Sequence, residues 1–149
     1  MQPADWLVSR WMSRDVVTVQ PEDRLIDVFE HMRERRIRHV PVLADGQLVG
    51  IVSDRDVRHA LPMRTGESGG VEREVFGEAL FETPVDKVMT RHPITVGPET
   101  TIREAAEIVC REKIGALPVV SGGELVGIVS AEDLLWAFVE NTADEEGAV

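Results

Sequence analysis

The sequence predicts an α+β protein built from two β-α-β-β-α repeats that pack about a pseudo-two-fold axis. Three observations indicate this fold: a duplication at a spacing of 77 residues, an amphipathic helix in each copy, and a β-hairpin after each helix. The duplication aligns Met12 with Met89 and Asp56 with Asp133 without a gap. Of the 45 aligned positions, 18 are identical. Chance would give only a few identities, so each copy is expected to be one structural unit.

The first two elements of each copy are a short strand and a helix. The strand is predicted over Val16–Val19 in the first copy and over 94–96 in the second. Pro21 and Pro98 follow, and we place them just inside the helix start, where the missing N–H costs nothing. The helix then carries apolar residues at i, i+3, i+4 and i+7, the spacing of one buried face. These residues are Leu25, Val28, Phe29 and Met32 in the first copy and Ile102, Ala105, Ala106 and Val109 in the second.

A β-hairpin and a second helix complete each copy. Asp45-Gly46 and Gly122-Gly123 are typical hairpin turns between two apolar segments. The strand before the first turn, 39–43, contains Pro41, which indicates an edge strand or a strand start. The strand after it, 48–52, is apolar throughout, so we expect both of its faces to be covered. The second helix is predicted to run from the serine after this strand to about Leu61, and in the second copy from Ser130 to about Glu140.

The duplication divides the chain into four parts. Residues 1–61 hold the first repeat and an N-terminal segment that Trp6 and Trp11 are expected to anchor. Residues 62–84 form the connection between the repeats, with a short helix predicted over Val71–Leu80. Residues 85–140 hold the second repeat, and residues 141–149 form an acidic C-terminal tail.

Composition narrows the function classes. The formal net charge is −11 and the pI is about 4.8, so nucleic acid and anionic membranes are poor partners for this chain. Cys110 is the single cysteine, which rules out an internal disulfide, and its apolar helical neighbours predict a packed thiol. The N-terminal sequence does not read as a signal peptide, and no apolar run approaches 18 residues. We therefore expect a cytoplasmic protein.

The duplicated motif identifies a family. Each copy contains Ile-x-x-Val/Leu-Pro-Val followed by Gly-Ile-Val-Ser-x-x-Asp, at 37–42 and 50–56 in the first copy and at 114–119 and 127–133 in the second. The pair resembles a tandem of cystathionine-β-synthase-type (CBS) repeats, also called a Bateman module, over nearly the whole chain. With no enzyme domain beside it, it is similar to stand-alone CBS-pair proteins.

The resemblance implies a regulatory sensor rather than an enzyme. It would bind an adenosine-containing ligand, such as AMP, ADP or ATP, in the cleft between the repeats, and would need no cofactor. Any Mg²⁺ is expected to arrive with a polyphosphate. A homodimer is implied, together with an unidentified regulated protein as partner. The helices expected to form the dimer contacts carry Val57, Leu61, Leu134, Leu135, Trp136 and Phe138.

The Ser-x-x-Asp motif has two interpretations that can coexist. The serine and aspartate follow a buried strand and begin a helix, where free N–H groups and the helix dipole favour anionic ligand groups. The same spacing is close to a capping box, in which the two side chains satisfy backbone N–H groups. The resemblance assigns Asp56 and Asp133 to the two ribose hydroxyls, and Ser53 and Ser130 to ribose or phosphate.

The remaining candidate residues line the same two clefts. The resemblance assigns Ile51 and Ile128 to an apolar slot for adenine, although both could equally be ordinary core. The residues that edge the clefts are Ile37, Arg38 and His39 in the first copy and Ile114, Gly115 and Ala116 in the second.

The two copies differ in charge around these clefts. The first copy offers Arg38, His39, Arg55 and Arg58, where the second has Gly115, Ala116, Glu132 and Leu135. Phosphate needs cations or amides, so the Asp56 cleft is predicted to prefer a phosphorylated nucleotide. The Asp133 cleft is predicted to be weaker, empty or suited to a neutral nucleoside. The alternatives are solvated surface charge for the arginines and an ordinary strand histidine for His39.

Two other function classes compete with the sensor. The first is a dimerisation scaffold with vestigial clefts, which the loss of Asp56 or Asp133 would favour, but both aspartates are present. An enzyme would need a nucleophile and base, and the sequence shows no such pair. The glycine-rich segment 66–70 lacks the Lys-Ser/Thr of a P-loop, and the four histidines lack metal-ligand spacing.

Overall fold

The computed structural model describes residues 6–61 and 77–146 of the 149-residue chain. The chain forms two compact units. One unit comprises Val17–Pro93, and the other combines Met1–Val16 with Ile94–Val149. Each unit contains a helix, a β-hairpin and a second helix in the order that the duplication predicts, which confirms two repeats of mixed α and β structure.

The described part of the first unit includes two α-helices packed with a three-stranded antiparallel sheet, and a 3-10 helix over Val85–Lys87 precedes the third strand. Helix α2 spans Leu25–Arg35, strands β1 and β2 span His39–Ala44 and Gln47–Ser53, and helix α3 spans Asp54–Ala60. A third strand, β3 (Thr90–Arg91), pairs with β2. Asp45 and Gly46 have φ values of 51° and 78°, the two positive angles of a type I′ turn, so the predicted hairpin turn is confirmed.

The second unit repeats this arrangement around one hairpin. Helix α1 spans Val8–Trp11, α4 spans Ile102–Glu112, and α5 spans Ala131–Glu146. Strands β4 (Ala116–Ser121) and β5 (Glu124–Ser130) pair in the same register as β1 and β2, with a shift at the equivalent position. Trp6 and Trp11 pack against the core of this unit, as predicted.

Alternating apolar residues on the hairpins and the predicted helix faces form the two cores. In the first unit the fully buried members include Leu25, Val28, Val40, Val42 and Val52. Their equivalents in the second unit, Ile102, Ala105, Leu117, Val119 and Val129, are also buried. Burying one Val or Leu side chain contributes about 1.5–3 kcal/mol, so these five positions hold the helix against the hairpin in each unit.

The segment that begins each sequence copy packs on the hairpin of the other copy. Ser13 exchanges two backbone hydrogen bonds with Ile128, at 2.9 and 3.0 Å, and β3 pairs with β2. The two methionines that lead these segments, Met12 and Met89, are both buried. The compact units are therefore offset from the sequence repeats. The duplication does not predict this offset, because the two hairpins are alike in sequence and either could pair with the preceding segment.

The first strand predicted in each copy and the predicted position of the following proline differ from the structure. The strand predicted over Val16–Val19 is reduced to one parallel bridge between Val19 and Val42, and its second copy to one between Val96 and Val119. Pro21 lies in a turn four residues before α2, where the Gln20 N–H donates to Asp23 Oδ2 at 2.8 Å. This turn delays the helix, so the placement of Pro21 and of its equivalent, Pro98, inside the helix start was wrong.

Smaller differences concern helix ends and exposure. Helix α5 continues to Glu146, past the predicted end near Glu140. Cys110 is exposed, because it lies outside the buried face that Ile102 and Ala105 give to α4. Strand β2 is covered only in part, since Gly50 and Val52 are buried while Ile51 is half-buried. Most of the helix predicted over Val71–Leu80 lies outside the described residues, and residues 77–82 are helical. No helix of the described ranges is long and apolar enough to cross a membrane.

The close approach of Met12 and Ser13 to Gly127 gives a test of this packing. A Cβ on Gly127 would lie 2.7 Å from Met12 Sδ and 2.9 Å from the Ser13 carbonyl oxygen. We expect Gly127→Ala to lower the free energy of unfolding by about 1–3 kcal/mol, the usual cost of overpacking. Urea denaturation measures this difference.

Gly97→Ala is the matched control. The nearest atoms to a Cβ at Gly97 lie at 3.8 and 3.9 Å, which is ordinary contact. Any entropic gain from replacing glycine applies to both variants. Equal stability of the two variants would contradict the packing described for Gly127.

Candidate functional site

Each unit places its Ser-x-x-Asp motif where the second hairpin strand meets the second helix. Strand β2 ends at Ser53, whose φ of −99° and ψ of 163° are still extended, and α3 begins at the next residue. Strand β5 likewise ends at Ser130, directly before α5. The strand therefore delivers the serine to the N-cap position, where a short hydroxyl side chain can satisfy a helical N–H.

Both motifs form complete capping boxes. The Asp56 N–H donates to Ser53 Oγ at 3.1 Å, and the Ser53 N–H donates to Asp56 Oδ2 at 2.8 Å. In the second unit the Asp133 N–H donates to Ser130 Oγ at 3.2 Å, and the Ser130 N–H donates to Asp133 Oδ2 at 2.8 Å. The capping interpretation of the motif is therefore correct in both copies.

The capping box leaves part of each carboxylate available. Both backbone bonds to Asp56 and Asp133 end on Oδ2, and within the described residues no hydrogen bond reaches either Oδ1. An ionised carboxylate has about four acceptor positions, so each group can accept further donors while the box fixes its orientation. Asp56 and Asp133 are half-buried, so a ligand can reach them.

The hairpin of the first unit brings three more candidates to this motif. His39 lies opposite Ser53 in the β1–β2 pairing, and Ile51 lies two residues before Ser53 on β2. Alternate residues of a strand share a face, so His39, Ile51 and Ser53 are on one side of the hairpin, while Val40 and Val52 enter the core on the other. The carbonyl oxygen of Arg38 accepts the Asp54 N–H at 2.8 Å, which ties Arg38 to the start of α3.

The second unit repeats the geometry with smaller residues. Ala116 lies opposite Ser130, and Ile128 shares the face of Ser130. The Gly115 carbonyl accepts the Ala131 N–H at 2.9 Å, as Arg38 does in the first unit. Ile114 packs against the hydrophobic core of its unit, so at this position the structure shows a core side chain.

The arginines of α3 lie on different sides of the helix. Arg58 forms an ion pair with Asp54 at 3.3 Å and lines a groove between α2 and α3. Arg55 is exposed and is one residue, about 100° of helix rotation, from Asp56. Arg58 therefore lies on the outer surface of α3 and away from Ser53. Arg38, in contrast, is held next to the motif by its backbone carbonyl.

Sequence reasoning missed two residues next to the candidate site. Thr90 of β3 lies opposite Ile51, and Ser13 pairs with Ile128. The signal was present, because Met12-Ser13-Arg14 is repeated as Met89-Thr90-Arg91 at the start of the two copies. A hydroxyl residue from the start of the other sequence copy therefore borders each site: Thr90 borders the first and Ser13 the second.

The surroundings of His39 favour a neutral imidazole. Burial lowers the pKa of His39 from its ordinary 6.5, and the charge of Arg38 lowers it further, while Asp54 and Asp56 oppose this effect. A neutral ring can still donate one hydrogen bond, and an anionic group placed beside it would favour its protonation.

One cavity of the second unit lies apart from this site. An open cavity of about 690 Å³ is lined in the second unit by α4 and the β4–β5 turn, and contains none of the candidate residues. Its charged residues, Glu104, Glu107 and Arg111, have mixed signs, and Glu107 Oε2 lies 3.7 Å from Arg111. In the ranges that the structure describes, no three His, Cys, Asp or Glu side chains are grouped to hold a metal ion.

Comparison with known proteins finds the family model "CBS domain" twice, over residues 8–63 and 85–140. The chain is 43% identical over 137 residues to an inosine-5′-monophosphate dehydrogenase of Korarchaeum cryptofilum, covering 90% of this chain and 25% of that enzyme. It is 34% identical over 158 residues to the uncharacterized protein MJ1426 of Methanocaldococcus jannaschii, covering 89% of this chain and 91% of that protein. The chain thus spans a quarter of the first relative and most of the second.

Among solved structures, the fold is similar to that of CBSX2, a CBS-pair protein from Arabidopsis thaliana. The structure of CBSX2 in complex with AMP is 26% identical, with a TM-score of 0.73 and coverage of 92% of this chain and 98% of that one.

The lowered pKa of His39 predicts a pH dependence of stability. The unfolded chain binds a proton at His39 near pH 6.5, while the folded chain resists it. The free energy of unfolding should therefore fall as pH decreases through 6.5, until the pH is low enough for the folded chain to bind the proton as well. One proton limits this slope to about 1.4 kcal/mol per pH unit. His39→Gln should remove this part of the slope in denaturation measured at several pH values.

His59→Gln is the control, because His59 is an exposed histidine of the same unit. A slope that His39→Gln and His59→Gln change equally would count against a buried neutral His39.

Proposed function

This chain belongs to the CBS domain family, as its duplicated motif predicted, and from this premise we propose that it is a regulatory module that senses an adenosine-containing nucleotide. AMP, ADP, ATP and their relatives are the proposed ligands. The observation that carries the proposal is the oriented carboxylate of each Ser-x-x-Asp motif, which keeps Oδ1 available while the capping box holds Oδ2. Two acceptor positions on one fixed carboxylate suit the adjacent 2′- and 3′-hydroxyls of ribose.

The surrounding residues supply the other contacts of such a ligand. Ile51 offers an apolar surface on the face of the hairpin that also carries Ser53, which suits a flat base. A structural relative has been solved with AMP, which supports the same ligand class for this chain. The dehydrogenase relative is matched over a quarter of its length, so its activity supports no catalytic proposal here. We propose a module that catalyses no reaction.

The two sites are proposed to differ in their preference for phosphate. Asp54 and Asp56 already place two carboxylates in the first turn of α3, so phosphate binding has to rely on cationic side chains near the motif. Arg38 is exposed and adjoins the start of α3, and His39 can gain a proton beside an anion. Gly115 and Ala116 provide neither in the second unit. The Asp56 site is therefore assigned a phosphorylated nucleotide, and the Asp133 site a neutral nucleoside or weaker binding.

Regulation follows from a ligand that binds two arrangements of the protein with different affinity. The proposed partners are a second copy of the chain and a regulated protein in the cytoplasm. Any Mg²⁺ would enter with a polyphosphate ligand. A ligand-free dimerisation scaffold is the alternative function, and ligand binding separates the two.

Calorimetric titration with AMP, ADP, ATP, S-adenosylmethionine, NAD and GTP tests the sensor proposal on protein stripped of nucleotide. We expect saturable binding of at least one adenosine compound. Asp56→Ala should weaken binding at the first site about 10- to 100-fold, since hydrogen bonds to a charged group contribute about 1.5–3 kcal/mol.

Asp27→Ala is the matched control. Asp27 is also the third residue of a helix, and its Oδ2 accepts the Arg24 N–H at 2.9 Å, so this variant removes a similar capping contact away from the site. Equal binding by Asp56→Ala and the wild type would remove the assigned role of Asp56. No binding of any of these compounds by folded wild-type protein would favour the scaffold.

The phosphate preference has its own test. Arg38→Ala should weaken AMP binding several-fold to about tenfold and leave adenosine binding unchanged, because only AMP carries the phosphate. Arg103→Ala removes the same charge from an exposed position on α4, away from the candidate site, and controls for the general attraction of anions. Equal losses for AMP and adenosine, or equal effects of the two variants, would contradict phosphate recognition by Arg38.

A further inference from the structure

The two candidate sites share one strand register and differ there by an imidazole ring. His39 lies opposite Ser53 in the β1–β2 pairing, and Ala116 lies opposite Ser130 in the equivalent pairing of β4 and β5. Both serines belong to a capping box of the same form. Imidazole is the side chain whose charge ordinarily changes between about pH 5 and 8. The first site therefore holds a titratable group at a position where the second site holds a methyl group.

The strand pairing places His39 beside the carboxylate that is available to a ligand. Residues opposite each other on antiparallel strands have Cβ atoms about 4.5–5.5 Å apart. His39 is thus a direct neighbour of Ser53, whose N–H donates to Asp56 Oδ2 at 2.8 Å. His39 is also half-buried, so solvent screens its charge only in part. A change of charge near Asp56 is therefore expected to act on the imidazole.

The charges that act on His39 come from α3 and from the residue before it in the chain. Burial lowers the pKa of His39, Asp54 and Asp56 raise it, and Arg38 lowers it. Asp54 is compensated by its ion pair with Arg58, at 3.3 Å. The protonation of His39 in the free protein is therefore a balance between burial and nearby charges of both signs.

The strands on either side of β1 and β2 add little to this balance. Strand β2 has no titratable side chain. On β3, Arg91 lies opposite Gly50, and its guanidinium donates to the Asp86 carbonyl at 3.3 Å. Residues 17–19, which bond to β1 through Val19, are uncharged. A charged ligand in the first site would therefore be a large perturbation of the field at His39.

A nucleotide and a nucleoside act differently on this balance. A phosphate monoester carries a charge of about −1.5 to −2 at pH 7, whereas adenosine is uncharged. A nearby anion favours the protonated form of a histidine. With its ribose on Asp56, AMP brings this anion into the site that contains His39, and adenosine does not.

We propose that the first site couples nucleotide binding to proton uptake at His39, so that a falling pH strengthens the binding of phosphorylated nucleotides there. The inference rests on the proposed function and adds pH as a second signal to the same site. The coupling is reciprocal, because the proton strengthens nucleotide binding by the factor by which the nucleotide strengthens proton binding. The second site has Ala116 at the equivalent position and lacks this dependence.

Calorimetric titration of the Asp133→Ala protein with AMP tests the coupling at the first site alone. The titrations run between about pH 8 and 6.5 at constant ionic strength, a range in which the phosphate keeps most of its second negative charge. The dissociation constant of AMP should fall about 3- to 10-fold per unit decrease in pH, with tenfold as the limit for one proton. Parallel runs in two buffers of different ionisation enthalpy should show net proton uptake as AMP binds.

His39→Gln in the same background keeps a hydrogen-bond donor and removes the titration. Its dissociation constant for AMP should vary less than about twofold over the whole range. His59→Gln is the matched control, because His59 is exposed in the last turn of α3, and this variant should retain the full pH dependence. Adenosine should bind with the same affinity at every pH. Circular dichroism verifies that each variant is folded at each pH.

Proton NMR of the histidine rings gives a readout that does not depend on affinity. The chain has four histidines, and the His39 signal is the one that is absent from His39→Gln. AMP should raise the midpoint of the His39 titration by about half a unit to one unit, which corresponds to the 3- to 10-fold change in affinity. Adenosine should leave the midpoint unchanged.

The outcomes separate the coupling from the sensor function. AMP binding of equal affinity at every pH, or the same pH dependence in His39→Gln, overturns the coupling and leaves the sensor function standing. An equal pH dependence for adenosine also overturns it, because adenosine carries no phosphate. Absence of AMP binding at every pH refutes the coupling as well, and the titration with the six compounds then decides the sensor function separately.

Discussion

The capping box that joins strand to helix in each copy is the interaction on which the rest depends. It satisfies the serine N–H and the aspartate N–H at once, and so fixes where α3 and α5 begin. An N-cap of this kind contributes about 1 kcal/mol. Its larger consequence is geometric, because the same two bonds orient the carboxylate of Asp56 or Asp133. A ligand that uses Oδ1 therefore meets a group that has already lost its rotational freedom, which lowers the entropic cost of binding.

Much of this arrangement could be predicted from the sequence, for physical reasons. Two kinds of local signal could be recognised: turn residues with positive φ, such as Gly46 and Gly123, and the regular apolar spacing of α2. Both depend on neighbouring residues in the sequence and not on tertiary contacts. Pro21 was misplaced because a turn closed by Asp23 competes with the helix start. The joining of Ser13 to Ile128 was not predictable, since the two hairpins present nearly the same sequence. The side of α3 taken by Arg58 depends on its pairing with Asp54 and on the neighbouring α2.

The two copies differ mainly in surface charge and side-chain size, while the buried core positions and the strand register are the same. The core positions Val40 and Leu117 are both fully buried, and the hairpins share one register. At the candidate site Arg38 of the first copy corresponds to Gly115 of the second, and on the last helix of each copy Arg58 corresponds to Leu135. Each difference leaves the fold intact because it lies on the surface, where substitutions cost little stability. Two units of similar fold thereby present different charge and side-chain size at equivalent surface positions.

Helix α3 connects the two surfaces of the first unit. Its first turn holds Asp56 at the candidate site, and its other side contributes Val57 and Arg58 to the groove between α2 and α3. Because the capping box ties the first turn of α3 to the end of β2, the Asp56 carboxylate and one wall of the groove belong to the same short helix. Helix α5 has the same relation between Asp133 and Leu135. For a partner that contacts this helix, linkage would require reciprocity: the factor by which a nucleotide changes the affinity for the partner equals the factor by which the partner changes the affinity for the nucleotide.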